Sequence, residues 1–92
     1  PILTFKTFDE VIERANDNDL GLCSYLYTNS MDKAHIGSEK LESGCVAVNT
    51  GVVAIAEAPF GGIKQTGYGR EGGSGAIKDY LNVKYTHMGL KI

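Results

Sequence analysis

Apolar residues recur at Phe8, Val11, Ile12 and Ala15, while Asp9, Glu10, Glu13 and Arg14 fill the positions between them. The spacing i, i+3, i+4, i+7 puts one apolar stripe on an α-helix and turns the charges to water. Thr7-Phe8-Asp9-Glu10 marks the start as a capping box, with the Thr7 hydroxyl accepting from the Glu10 amide and the Glu10 carboxylate returning the bond. Residues 2–6 ahead of it read as a short strand, and residues 16–19 break the helix. Residues 22–28, rich in aromatic and apolar side chains, predict a second strand. Asn29-Ser30 then offers the N-cap of a helix running to about Glu42, with Met31, Ala34 and Leu41 on its buried side. Gly44 is placed to close that helix in the left-handed conformation, and Cys45-Val46-Ala47-Val48 is the continuous apolar run of a strand covered on both faces. The order strand, helix, strand, helix, strand with short connections predicts an α/β fold, its sheet parallel or mixed with right-handed crossovers.

No periodic pattern survives from residue 49 to about residue 74, and seven of the twelve glycines fall between Gly61 and Gly75. Loops beyond about 12–15 residues are uncommon in small domains, and glycine-rich ones lose the most entropy when fixed, so this loop is expected to be held by other surfaces. Residues 75–81 predict a helical turn or two, with Ile77, Tyr80 and Leu81 on one side. The run Asn82-Val83-Lys84-Tyr85-Thr86-His87-Met88 then alternates as a final strand, Val83, Tyr85 and His87 pointing one way. A last strand with nothing after it is an edge to be covered or paired.

Size and composition narrow the classes. A chain of 92 residues buries roughly 60–65% of its unfolded surface, so an isolated fold is marginal. With 42% apolar residues, a net charge of −2 and no basic stripe, nothing calls for a nucleic-acid or membrane partner. No apolar run approaches the roughly 20 residues of a membrane span, and the first residues lack a secretion signal, so a cytoplasmic location is expected. Cys23 and Cys45 each sit in an apolar, strand-like run and are expected to act as small hydrophobes, not as a disulfide framework. His35 and His87 stand apart from each other and from the cysteines, without the short spacings of a metal site.

The most specific string is A-P-F-G-G-I-K-Q-T-G-Y-G-R-E, residues 58–71. Within it Gly67-Tyr68-Gly69-Arg70-Glu71-Gly72 has the letters of a dinucleotide fingerprint, but no hydrophobic strand precedes it and the Gly72-Gly73 pair weakens any following helix, so that reading is rejected. The whole string instead resembles P-F-G-G-x-K-x-[ST]-G-x-G-R-E, the C-terminal signature of the NAD(P)-dependent aldehyde dehydrogenases, at every defined position from Pro59 to Glu71. Gly44-Cys45-Val46-Ala47-Val48-Asn49 is similar to that family's G-x-V-x-V-N strand, and residues 16–22 to its A-N-D-x-x-x-G-L turn. Glu71-Gly72 and Asp79-Tyr80-Leu81 with Lys84-Tyr85 look most like the succinate-semialdehyde dehydrogenases.

The resemblance covers essentially the whole chain and implies the last fifth of a longer enzyme. Residues 1–74 would be the C-terminal part of the catalytic domain, and residues 75–92 a helix and an oligomerisation strand. In the family a cysteine thiolate attacks the aldehyde, hydride passes to NAD(P)+, and a base-activated water releases the acid. The G-Q-x-C and E-L-G-G settings of that cysteine and base, and the E-x-F-G-P string that contacts the nicotinamide ribose, do not occur here. The resemblance therefore implies no catalytic residue in the chain, no metal, and no cofactor bound by it alone, with NAD or NADP serving the full-length parent. Phe60 is expected either to wall the aldehyde pocket or simply to pack, and Asn49 either borders that pocket or caps its strand. Pro59, Gly61, Gly62, Gly67, Gly69, Arg70 and Glu71 are expected to be structural parts of the loop. The succinate-semialdehyde enzymes usually offer a serine hydroxyl to the distal carboxylate, where this chain has Ala54; losing such a charge-assisted bond costs about 1.5–3 kcal/mol of recognition. The final strand is expected to join a second copy or a full-length homologue. The competing expectation is a non-catalytic interaction module that uses the same strand.

Overall fold

The computed structural model describes residues 1–91 and is mixed α/β. Helix α1 (Phe8–Asn16) precedes the short strand β1 (Leu20–Gly21) and strand β2 (Cys23–Leu26); helix α2 (Met31–Lys40) leads to β3 (Cys45–Val48), β4 (Ile63–Lys64) and a 3-10 turn at Ala76–Tyr80. Strands β2 and β3 pair in parallel from Cys23 opposite Cys45 to Leu26 opposite Val48, with α2 as the crossover. A second, antiparallel pair sets Leu20 against Lys64 and Gly21 against Ile63. This small ladder fastens the glycine loop to the body.

At the head of α1 the Thr7 hydroxyl accepts from the Glu10 amide at 3.2 Å. The Glu10 carboxylate reaches one residue further back than a capping box requires and accepts from the Lys6 amide at 2.9 Å. Arg14 donates to the same carboxylate at 3.2 Å and to the Thr4 carbonyl at 2.8 Å. Side chains of α1 thus occupy the Lys6 amide and the Thr4 carbonyl, and no strand forms over residues 2–6, where none of the described residues supplies a ladder partner. The Lys6 amide above all, with Arg14 adding to it against an opposing desolvation, holds the Glu10 carboxyl below its ordinary value. A folded-state pKa below the unfolded one contributes stability that is complete above the unfolded pKa and is lost as pH falls through the folded one. Glu10→Gln should therefore lower the urea midpoint near neutrality and leave it little changed at low pH, flattening the acid side of the plot; an unchanged acid slope would remove Glu10 from this role.

Helix α2 starts where Ser30 accepts from the Lys33 amide at 3.3 Å. Met31, expected inside, is 82% exposed, because the face of α2 turned to the body is carried by Ala34 and the buried Gly37. At Gly37 the helix lies so close to β2 that an added Cβ would sit 2.5 Å from Leu26 Cδ2 and 3.4 Å from Phe8 Cζ. The helix stops at Lys40 on an extended Leu41, at φ −68° and ψ 123°, so Gly44 is not its left-handed closure. Strand β3 is half-buried apart from the buried Ala47, since a two-stranded sheet covers less of it than the expected burial on both faces.

Among the described residues the buried apolar side chains are Ile12 and Ala47. The chain exposes 7908 Å², whereas a compact protein of 9.9 kDa exposes about 5,200 Å² and its unfolded chain about 14,400 Å². Folding thus hides about 45% of the unfolded surface. Residues 1–6 and 82–91 form two exposed arms, and the radius of gyration is 19.4 Å along a 77 Å axis, against about 12 Å for a compact chain of this length. No strand forms over residues 82–88 as expected; they are extended and exposed, because a strand needs a ladder partner and none of the described residues supplies one. Val83 stands fully in solvent, and Tyr85, Met88 and Leu90 are also exposed.

Candidate functional site

The glycine loop folds back on itself through one two-residue bridge. Phe60 and Glu71 exchange both main-chain bonds at 2.7 Å, and the Gly73 amide donates to the Ala56 carbonyl at 2.9 Å. Between them the chain turns through Gly67 at φ 113° and Gly69 at φ 89°, angles that side-chain-bearing residues rarely adopt. Arg70 spans the turn, its guanidinium donating to the carbonyls of Gly62 at 2.8 Å and Gly69 at 2.7 Å. Glu71 takes part through its main chain. Pro59 lies against Gly73, where an added Cβ would sit 3.0 Å from the proline nitrogen.

Three residues of this loop, Lys64, Gln65 and Thr66, make long-range polar contacts with the body. The Thr66 hydroxyl accepts from the Gly21 amide at 2.8 Å, and the Gln65 amide donates to the Asp19 carbonyl at 2.9 Å. Lys64, itself at φ 55°, donates from Nζ to the carbonyls of Asn16 at 2.9 Å and Asn18 at 3.1 Å, and pairs with Glu42 at 2.5 Å. Asn16 links the same region to the turn after α2, donating to the Lys40 carbonyl and accepting from the Glu42 amide, both at 2.9 Å. Sequence reasoning gave roles to neither Lys64 nor Asn16. The available sign was chemical: Lys64 is a long cation inside a glycine-rich run.

Asn49 ends β3 at φ 56°. Its side chain accepts from the Thr28 amide at 2.8 Å and donates to the Thr28 carbonyl at 3.0 Å, while its own amide donates to the Leu26 carbonyl at 2.8 Å. One residue thus clamps the ends of both parallel strands.

An open cleft of about 320 Å³ lies between the loop and the start of β2, lined among others by Leu22, Phe60, Gly62, Thr66, Arg70 and Asp79. Phe60 is half-buried and forms part of its wall; Ala54 is exposed and is not among the lining residues. Neither cysteine lines the cleft, and its arginine is already engaged by two carbonyls. The wall can therefore shape a ligand, but it offers no thiol nucleophile. Among the described residues no group of three or more His, Cys, Asp or Glu side chains could hold a metal ion, and no helix is long and apolar enough to cross a membrane.

The residues present also do not fit a dinucleotide. A phosphate cradle needs free amides at the start of a helix, whereas the amides of Gly67, Glu71 and Gly73 donate to the carbonyls of Lys64, Phe60 and Ala56. No α-helix follows, the next element being the short 3-10 turn.

Comparison with known proteins gives one consistent likeness. The sequence profile of the aldehyde dehydrogenase family matches residues 1–86. The chain is 45% identical over 97% of its length to the mitochondrial succinate-semialdehyde dehydrogenase of Oryza sativa subsp. japonica, and covers 17% of that protein. It is 47% identical, again over 97% of its length, to the 3-sulfolactaldehyde dehydrogenase of Pseudomonas putida, of which it covers 18%. Among solved structures, the NAD+ complex of an aldehyde dehydrogenase from Bacillus cereus superposes with a TM-score of 0.85 at 44% identity, over 89% of this chain and 17% of the other. The chain thus spans less than a fifth of the length of these relatives.

Proposed function

The chain belongs to the aldehyde dehydrogenase family, and from that premise we propose that it is the C-terminal part of an enzyme that oxidises succinate semialdehyde or a related aldehyde to its acid with NAD or NADP. The observation that carries this reading is its 45% identity, along nearly the whole chain, to a protein named for succinate semialdehyde. The role of this part is architectural. Phe60 and the glycine loop form one wall of the aldehyde pocket, with Pro59, Gly61, Gly62, Gly67, Gly69, Arg70 and Glu71 giving the loop its shape and Asn49 fixing the strand end behind it. Ala54 offers no hydroxyl to an acidic tail, so recognition of that tail falls to other groups of the parent.

Alone, the 92-residue chain is inactive, because covalent aldehyde oxidation needs an activated nucleophile, a base and a held cofactor together. The check is the absorbance of reduced nicotinamide when the purified chain meets succinate semialdehyde with NAD+ and, separately, with NADP+. The expected rate equals that of a matched blank, and turnover above the blank would overturn the reading.

A second role is favoured by the exposed apolar residues of the last arm, Val83, Tyr85, Met88 and Leu90. Residues from Asn82 to Met88 would complete an edge on a second copy or on a full-length homologue, making the chain an association module. Light scattering on the same preparation should then give a discrete oligomer that Val83→Asp returns to monomer; a monomer at every concentration would count against self-association.

A further inference from the structure

Cys23 opens β2, Cys45 opens β3, and the two are Cα partners in the parallel register. Residues paired directly across adjacent strands project from the same face of a sheet, and strands lie about 4.8 Å apart, within the Cα separations of about 4.4–6.8 Å that disulfides span. Both cysteines are free thiols, and both are half-buried, so a small reagent can reach them. The Cys45 thiol donates weakly to the Gly61 carbonyl at 3.7 Å. The Cys23 thiol is pushed above its ordinary value first by burial, then by the charge and hydrogen bonding of Cys45. The second of these causes operates only between neighbouring sulfurs. Neither cysteine lines the cleft.

We infer that Cys23 and Cys45 form a dithiol modification site, which a low-molecular-weight disulfide converts into a reversible bridge within the chain. The Cys45 thiolate attacks one sulfur of the reagent RSSR, forming a mixed disulfide and expelling one RS⁻. The Cys23 thiolate then attacks the Cys45 sulfur at its side and expels the second RS⁻. Two protein thiols lose two electrons, one RSSR is reduced, and the two cysteine protons leave on two RSH molecules. Burial disfavours the Cys23 thiolate, and in the second step its target sulfur is adjacent. Parallel strands at their normal spacing hold Cβ atoms slightly wider than the roughly 3.5–4.5 Å a disulfide prefers, so closure draws β2 and β3 together. Closure also consumes the Cys45 thiol that donates to Gly61, which connects the state of the dithiol to the seating of the glycine loop.

The test incubates the full chain with defined ratios of oxidised to reduced glutathione, in buffer and in strong urea, followed by acid quench, intact mass and peptide mapping. The expected product of the folded chain is two hydrogens lighter and maps to one Cys23–Cys45 linked peptide. Its closing constant should exceed that in urea by about tenfold or more, since a flexible chain supplies only millimolar effective concentrations. Cys23→Ser and Cys45→Ser should each stop at a single glutathione adduct. Two glutathiones on one chain, a bridge between chains, a folded chain that stays unreacted while the urea-treated one reacts, or a closing constant no larger in the fold would each overturn the inference.

Discussion

Gly44→Ala is expected to abolish cooperative unfolding of the chain. A Cβ at Gly44 would overlap the Gly61 carbonyl oxygen and lie 2.7 Å from its carbon and 2.9 Å from the Gly62 Cα, all of them backbone atoms. Neither side can yield. The Gly44 amide is fixed to the Gly21 carbonyl at 3.0 Å and the Cys45 amide to the Leu22 carbonyl at 3.0 Å, while Arg70 holds the facing loop through the Gly62 carbonyl. Relief requires the loop to move off β3, which gives up the β1–β4 ladder and the Lys64 contacts with it. Overpacking costs about 1–3 kcal/mol where side chains can adjust, and more where they cannot. A fold that hides about 45% of its unfolded surface holds little in reserve. Far-UV circular dichroism against urea provides the reading. Gly75→Ala is the matched control, since an added Cβ there meets nothing within 4 Å and its φ of −85° suits any residue; it should be neutral or stabilise by up to about 1 kcal/mol. Equal urea curves for the two variants would show that the contact between Gly44 and Gly61 does not constrain the fold.

Asn49→Ala is expected to be nearly as damaging, by about 2–5 kcal/mol, as the sum of two effects that a second variant separates. Alanine removes both side-chain bonds to Thr28, each worth about 0.5–1.5 kcal/mol. It also places an ordinary side chain at φ 56°, where the left-handed region costs roughly 1–2 kcal/mol. Asn49→Gly loses the bonds but removes the torsional cost, so it should fall between the parent and the alanine variant. Urea midpoints in which glycine and alanine destabilise equally would show that the torsion angle contributes nothing.

The elements that sequence predicts best are those that carry their own reasons. Thr7 and Ser30 cap α1 and α2 from within the chain, and Cys45-Val46-Ala47-Val48 has one way to bury its side chains, beside β2 across a helical crossover. The two arms are different. Residues 2–6 and 82–88 have the composition of strands, but a strand exists only with a partner, and the partner for each depends on what lies beside it in space. β1 and β4, two residues each, are too short to show a period. The loop around Phe60 shows itself by its glycines, yet what seats it is Lys64 reaching 48 residues back to Asn16, a contact without any local trace. The same limit hid the dithiol: Cys23 and Cys45 look like unrelated small hydrophobes until the register of β2 against β3 sets them side by side.

The extended arms have a consequence for how the molecule moves through solution. A single chain with a radius of gyration of 19.4 Å matches a globule of about 300 residues. A monomer with its arms extended would therefore migrate through a sieving matrix as if it were a trimer, while scattering light as one 9.9 kDa particle. Docking of the arms, whether onto a second copy or onto a longer homologue, would raise the mass while drawing in the extremities. Association would then register as gain in mass with a far smaller gain in apparent size.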